Sequence, residues 1–319
     1  MVFTNTFSWS KSTQEAFNEC RRKYYYDKYG FWGAWESGAT EEVKQIDMLK
    51  NMKPLEMWVG EVIHDQIRQI LIKTRSKMSI NPDALVESMV NKMKADMRSS
   101  EAGLYKVKRK SCSLLCHEYH LLVEERDIAL IFDRATRCIL NFLQSDFYAH
   151  VRAIPISEYR FIDDDKPQSF MLDGTQIYLK IDFARLRTDE VHIYDWKTGN
   201  NSDEEKEKLQ LNVYALYCLD KWKFPLDKIK VVLFNLNRMS EPEERIVNEA
   251  DIESCKTIIK NGISAMKSLL VDPVNNIAAI ENYPLNETRC LAGNQVCKYK
   301  KICYPNGGDS VFASDLFES

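Results

Sequence analysis

The chain has no apolar run approaching the roughly eighteen residues that cross a bilayer as a helix, so no membrane span is expected. Its first residues, MVFTNTFSWSKSTQE, show no basic segment followed by an apolar core. A secretory signal is therefore not expected, and the expected compartment is the cytoplasm. There is no Walker A loop and no Gly-rich dinucleotide fingerprint. These absences exclude a P-loop nucleotide motor and a Rossmann cofactor domain. Internal repeats and low-complexity segments are also missing. The net charge is only −3. With no overall positive field, any binding of nucleic acid has to use local basic patches.

What is present describes a soluble globular protein. Apolar residues make up 45% of the 319 positions and charged residues 29%. That length suits one large domain or two ordinary ones. Nine cysteines in a chain expected in a reducing compartment point to metal binding or buried thiols rather than disulfides.

The most informative stretch is 177–199, IYLKIDFARLRTDEVHIYDWKTG. Alternation over 177–186 and the β-branched, aromatic run 191–197 predict a hairpin closed by a short polar turn. Asp182 lies on the first strand. Asp195 and Lys197 lie two apart on the second and so share a face. A surface ion pair is one reading. However, Asp195 stands between Tyr194 and Trp196, and charge is rare in a buried strand unless paired or metal-bound. Two carboxylates and an ammonium that converge suit metal-assisted phosphodiester cleavage, with Mg²⁺ or Mn²⁺ on the hard oxygens.

Elsewhere the pattern is mixed α/β. Residues 7–29 predict a loop and a helix, with Ser8, Ser10 and Ser12 offering N-cap hydroxyls, Glu15 three residues after Ser12 as a capping-box partner, and Cys20 between an acidic and a basic, aromatic turn. Residues 60–74 form an amphipathic helix with His64 beside its apolar stripe. The segment 82–150 is mostly helical. It contains the basic run Tyr105-Lys-Val-Lys-Arg-Lys110, either a solvated segment or a phosphate patch through Lys108 and Arg109. The cluster Cys112, Cys116 and His117 has no further Cys/His pair at zinc spacing. Residues 154–161 alternate and predict a strand carrying Glu158. Residues 168–172 predict a short strand. A helix follows over 203–222, with Gln210 and Tyr214 one turn apart. The run 230–235 predicts a central strand and 251–270 another helix. The tail from Tyr283 holds Cys290, Cys297 and Cys303, one ligand short of a four-thiolate site that Cys20 can complete.

Taken in order, these pieces resemble the RecB-like branch of the PD-(D/E)XK nucleases, in its iron–sulfur sub-branch, which includes the CRISPR-adaptation exonucleases and the AddB nuclease domain. The family order is an N-terminal Cys, G-x3-H, a Glu strand, an Asp strand, D/E-x-K, Q-x3-Y and three clustered cysteines. It is matched here by Cys20, Gly60 and His64, Glu158, Asp182, Asp195 and Lys197, Gln210 and Tyr214, and Cys290, Cys297 and Cys303. One departure is visible. The family closes on C-x2-C-x5-C, whereas Asn294 stands at the middle position and Cys290 lies further upstream. Either a longer loop, helped by Gly293, brings Cys290 in, or the site has another geometry.

The resemblance implies a restriction-endonuclease-like α/β fold in which a mixed central sheet is flanked by helices. It implies one nuclease domain over 1–319, with a helical insertion at 82–150. A Cys-bound cluster would join Cys20 to 283–304, with 4Fe-4S expected and zinc as the competitor. It further implies that His64, Asp182, Asp195 and the Trp196 backbone carbonyl hold Mg²⁺ or Mn²⁺. Lys197 would orient the attacking water. Glu158 would hold a second ion or Lys197, or be a plain surface residue. Gln210 and Tyr214 would position the DNA strand or Lys197. The substrate would be single-stranded DNA or duplex ends, with Arg21, Arg22, Tyr24 and Tyr25 offering charge and stacking. Accessory partners would be a helicase, an integrase or a recombination protein. The rival classes are a non-catalytic DNA-binding scaffold and an iron–sulfur redox sensor.

Overall fold

The computed structural model describes residues 4–161, 166–199, 203–238, 242–292 and 296–305. The chain divides into two compact units. One comprises Glu56–Lys94 and Glu125–Ile258. The other comprises the described parts of Met1–Leu55, Ala95–Glu124 and Ile259–Ser319. The expected insertion at 82–150 is therefore shared out: Ala95–Glu124 belongs to one unit and its flanks to the other.

The first of these units is built on a five-stranded mixed sheet, ordered Tyr159–Arg160, Phe183–Leu186, Val191–Lys197, Ile229–Asn235 and Glu243–Arg245. Val191–Lys197 pairs antiparallel with Phe183–Leu186 and parallel with Ile229–Asn235. Both central strands are buried at four consecutive positions, because both of their faces are covered. On one face Trp196 packs against Phe142 and Phe147, with ring centroids 5.4 Å apart in each case, and Tyr194 against Phe147 at 4.8 Å. Those phenylalanines come from helices Glu125–Gln144 and Asp146–Ala153. Removing such a buried aromatic would cost about 3–5 kcal/mol. The opposite face carries Asp195 and Lys197 and receives helix Glu204–Tyr217.

Two strands differ from the sequence reading. The expected single strand over 177–186 is two. Thr175–Leu179 pairs with Gln168–Leu172, Phe183–Leu186 pairs with Val191–Lys197, and Asp182 lies at the break. The expected strand over 154–161 shrinks to Tyr159–Arg160. Helix Asp146–Ala153 runs up to it, and Ile156–Glu158 closes as a 3₁₀ turn behind Pro155.

In the other unit, helix Lys11–Glu19 is capped by Ser10, one of the three serines expected to offer a cap, and Thr13 rather than Glu15 completes the box. Ser10 Oγ accepts from the Thr13 amide and Thr13 Oγ1 accepts from the Ser10 amide. Fully buried Trp9 fixes this phase by donating Nε1–H to Gln14 Oε1 at 2.9 Å. Cys20 is extended (φ −161°, ψ 122°) and separates Lys11–Glu19 from the next helix, Arg21–Tyr25. The core joins Tyr26, Ile46, Leu49, Met52, Tyr105, Leu115, Tyr119 and Tyr299. Tyr299 donates to Asp27 at 2.6 Å, and Lys301 pairs with buried Glu118 at 3.0 Å. These contacts anchor the short helix Lys300–Cys303.

Helix Glu249–Lys267 places Gly262 directly against Gln14. A Cβ at Gly262 would overlap Gln14 Oε1. Displacing that oxygen strands the buried Trp9 Nε1–H, a loss of about 1–3 kcal/mol, against a helix-propensity gain of about 1 kcal/mol for Ala over Gly. Gly262→Ala is therefore expected to lower stability by about 1 kcal/mol. Denaturant melts of the two proteins check this, and a variant as stable as the parent would refute it.

Candidate functional site

Six of the expected site residues meet in the sheet unit. Asp195 is 3% exposed, on the strand Val191–Lys197. Its Oδ1 accepts from Gln210 Nε2 at 2.8 Å and lies 2.9 Å from the Tyr214 hydroxyl. Lys197 Nζ lies 2.8 Å from Asp195 Oδ2 and donates to Gln210 Oε1 at 3.1 Å. Gln210 therefore bridges the carboxylate and the ammonium, its amide oriented by both. Its position one helical turn before Tyr214 lets Nε2 also donate to the Tyr214 hydroxyl at 2.7 Å.

Asp182 is the second carboxylate. Its Oδ1 is 3.0 Å from His64 Nδ1, and its Oδ2 accepts from the Trp196 amide at 3.0 Å. The N–H and C=O of one strand residue leave on the same edge, so the Trp196 carbonyl opens towards the Asp182 side. His64 comes from helix Leu55–Arg75, with its Nδ1 committed to Asp182. Gly60, one turn earlier, faces Thr198: a methyl there would sit 3.5 Å from Thr198 Oγ1. That is an ordinary van der Waals contact, so a methyl at Gly60 would fit beside the loop adjacent to Lys197.

The electrostatics separate the two acids. Burial pushes both up. For Asp182, His64, the Trp196 amide and Lys197 more than offset it and hold the carboxyl below its usual range. For Asp195, burial and the Asp182 charge prevail over Lys197 and His64, and the carboxyl stays raised. Asp182 in turn raises the His64 imidazole, against the opposing effect of burial. Burial and the two carboxylates drive the Tyr214 phenol far above its ordinary value.

One atom is left over. Asp195 Oδ2 is buried and accepts no hydrogen bond: Lys197 is close enough for charge but not aligned to donate. Among the described residues no three His, Cys, Asp or Glu side chains already converge as a metal cage. The other carboxylate oxygens are instead held by His64, Trp196, Gln210 and Tyr214. The donor set nevertheless fits a hard divalent cation. It offers two carboxylates whose mutual repulsion a cation relieves and one unsatisfied buried oxygen.

Other expected residues fall outside this cluster. Glu158 ends the 3₁₀ turn and pairs with Arg185 Nε at 2.6 Å. Tyr159 stands opposite Arg185, so Glu158 lies about 13 Å along the strand from Asp182. Its carboxylate is paired with Arg185, while Lys197 is paired with Asp195. The proposed DNA contacts near Cys20 are largely occupied. Arg22 donates to the Tyr283 carbonyl at 2.6 Å, and Arg21 stacks on Phe17. Tyr24 is 1% exposed within a tyrosine cluster and cannot stack a base. Tyr25 packs half-buried on Tyr283. Arg109 is paired with Asp47 at 2.7 Å, while Lys108 is exposed.

The four cysteines lie within reach of one another's charge. Burial, then Cys297, Cys290 and Cys20, pushes the Cys303 thiol up to about 12. Burial, Cys20 and Cys297 likewise raise Cys290. Among the described residues no three of these thiols converge as a metal cage, and Asn294 with Gly293 lies outside the described residues. Sequence reasoning missed Gln168, whose buried amide accepts from the Ile181 amide at 3.0 Å. Its signal was a polar residue in phase with Phe170 on a half-buried strand.

No helix among the described residues is long and apolar enough to cross a membrane. Searches of curated proteins and of solved structures return no match. The family model of the PD-(D/E)XK nuclease superfamily matches residues 8–304. Its span covers both acids, the D-x-K lysine and the Q-x3-Y pair, and the chain belongs to the PD-(D/E)XK nuclease superfamily.

Proposed function

We propose that this protein is a divalent-metal-dependent DNA exonuclease of the RecB-like branch, acting on single strands or duplex ends. The observation that carries the reading is Asp195 Oδ2, a buried oxygen without a hydrogen bond beside Lys197. Asp182 and Asp195 would hold Mg²⁺ or Mn²⁺, joined by His64 and the Trp196 carbonyl; imidazole shifts the preference towards Mn²⁺. When bound, the ion supplies Lewis-acid stabilisation of charge on the scissile phosphate. Lys197 orients the attacking water and offsets negative charge as the phosphodiester P–O bond breaks. Gln210 keeps Lys197 on the carboxylate side. Tyr214, protonated at any working pH, secures Asp195 as a neutral hydroxyl.

The thiols of Cys20, Cys290, Cys297 and Cys303 would hold a 4Fe-4S cluster, with zinc as the competing occupant. We further propose a cytoplasmic enzyme of DNA repair, recombination, CRISPR adaptation or phage DNA processing, the kinds of process in which the nucleases it resembles work. There it would work beside a helicase, an integrase or a recombination protein.

The test is digestion of end-labelled single- and double-stranded DNA by anaerobically purified protein with Mg²⁺ or Mn²⁺. Lys197→Ala is expected to lose about a thousandfold in rate while remaining folded. Equal inertness of the parent and the variant, both folded and metal-loaded, would sink the catalytic reading.

A further inference from the structure

Gln168 begins the strand Gln168–Leu172, opposite Leu179, and is 7% exposed. An apolar side chain would serve packing at this position as well. The amide adds an acceptor, used by the Ile181 N–H at 3.0 Å, while its Nε2 donates to the Lys166 carbonyl at 3.2 Å. Ile181 lies in the break between Thr175–Leu179 and Phe183–Leu186, one residue before Asp182. The carbonyl of Lys180, one residue earlier, is 2.9 Å from the Tyr214 hydroxyl. Two side chains from different elements thus take up the backbone groups that lead into Asp182.

Tyr214 cannot hold the break alone. Its hydroxyl has one proton and two acceptors in reach, Lys180 O and Asp195 Oδ1, both at 2.9 Å. Whenever that proton goes to Asp195, the Gln168–Ile181 bond is the remaining tie. Without it, the buried Ile181 N–H would look for another acceptor, and the Asp182 backbone would move with it.

We propose that Gln168 is a positioning residue for Asp182. It latches the strand break so that the carboxylate meets His64 and the Trp196 amide together. The proposal rests on the metal-dependent reading of the site. Its logic is that of an outer-shell residue, which fixes a ligand without touching the ion.

Three variants test it in the full-length protein. Gln168→Met keeps the length but loses the acceptor. Gln168→Asn draws the acceptor one methylene out of reach and is the milder change. Gln168→Glu keeps an acceptor oxygen. The readouts are the Mn²⁺ dissociation constant by calorimetry and hydrogen exchange at the Ile181 amide in metal-free protein. Met and Asn are expected to weaken Mn²⁺ binding about 10–100-fold and to speed Ile181 exchange at unchanged far-UV dichroism. Glu is expected to bind Mn²⁺ much as the parent does. Should Gln168→Met fail to fold, Gln168→Asn decides the question. Unchanged Mn²⁺ affinity in a folded Met or Asn variant, beside a parent that binds, overturns this proposal alone. A parent that binds no Mn²⁺, with Asp182→Ala indistinguishable from it, overturns the metal reading and this proposal together.

Discussion

Replacing Asp195 with asparagine is expected to abolish cleavage and, in metal-free protein, to raise the melting temperature. The activity loss follows from removing a hard ligand and should reach at least about a thousandfold. The stability gain follows from the raised carboxyl. An acid whose folded pKa lies above its unfolded value destabilises the fold once pH exceeds the folded value, because folding must then bury a charge it disfavours. Asparagine retains an oxygen for Gln210 and Tyr214 and removes that charge. The gain should be read as an upward shift of the melting temperature in chelator. On acidification in chelator, the parent should regain the difference as Asp195 takes up its proton, since both states are protonated below the unfolded value. Divalent cation should act in the opposite sense. It stabilises the parent, by about 2.7 kcal/mol at a hundred times its dissociation constant, and leaves the variant unchanged. Thermal melts with and without Mn²⁺ check both. A variant less stable than the parent in chelator would refute the electrostatic account, and a variant that still cleaves would refute the assignment of Asp195.

Exchanging Cys303 for serine is expected to produce the largest loss of stability. If the four thiols bind a metal group, its binding energy is folding energy, and structural thiolate sites contribute on the order of 10 kcal/mol. Cys303 sits on a helix of four residues, too short to hold itself, anchored through Tyr299 and Lys301. Anaerobically isolated parent should carry iron and acid-labile sulfide, with broad visible absorption. Cys303→Ser should lose the colour and lower the melting temperature by ten degrees or more, on the order expected for several kcal/mol. Stoichiometric zinc without sulfide would replace the cluster with its competitor. Metal-free parent with the same melting temperature as the variant would remove both.

Much of the site was legible because it rests on local geometry. The two-residue step from Asp195 to Lys197 and the four-residue step from Gln210 to Tyr214 dictate which side chains share a face, whatever surrounds them. The strand Ile229–Asn235 was legible for a similar reason, as an unbroken apolar run covered on both faces. What failed depended on contacts that the local pattern does not contain. The alternation around Glu158 resembles a strand, yet helix Asp146–Ala153 and Pro155 leave it in a turn, and Arg185 claims its carboxylate. The strand break at Asp182 has no local signature, because the side chains that accommodate it, Gln168 and Tyr214, lie on other elements. Tyr24 reads as a stacking residue in isolation and proves to be core, because Phe17 and Tyr283 close over it.

The core that unites Tyr26, Tyr105 and Tyr299 has a consequence for biosynthesis. Its three contributors lie far apart in the chain, and the last emerges long after the first. The sequence of the unit built on the five-stranded sheet is complete at Ile258, about forty residues earlier. At translation rates of roughly 5–20 residues per second, that interval lasts about 2–8 s. During it that unit has all its segments, while Trp9, Tyr24 and Tyr26 still await their final neighbours. Slower elongation lengthens the exposure of those aromatic side chains. The yield of soluble protein should therefore respond to translation speed and to chaperones that bind apolar segments.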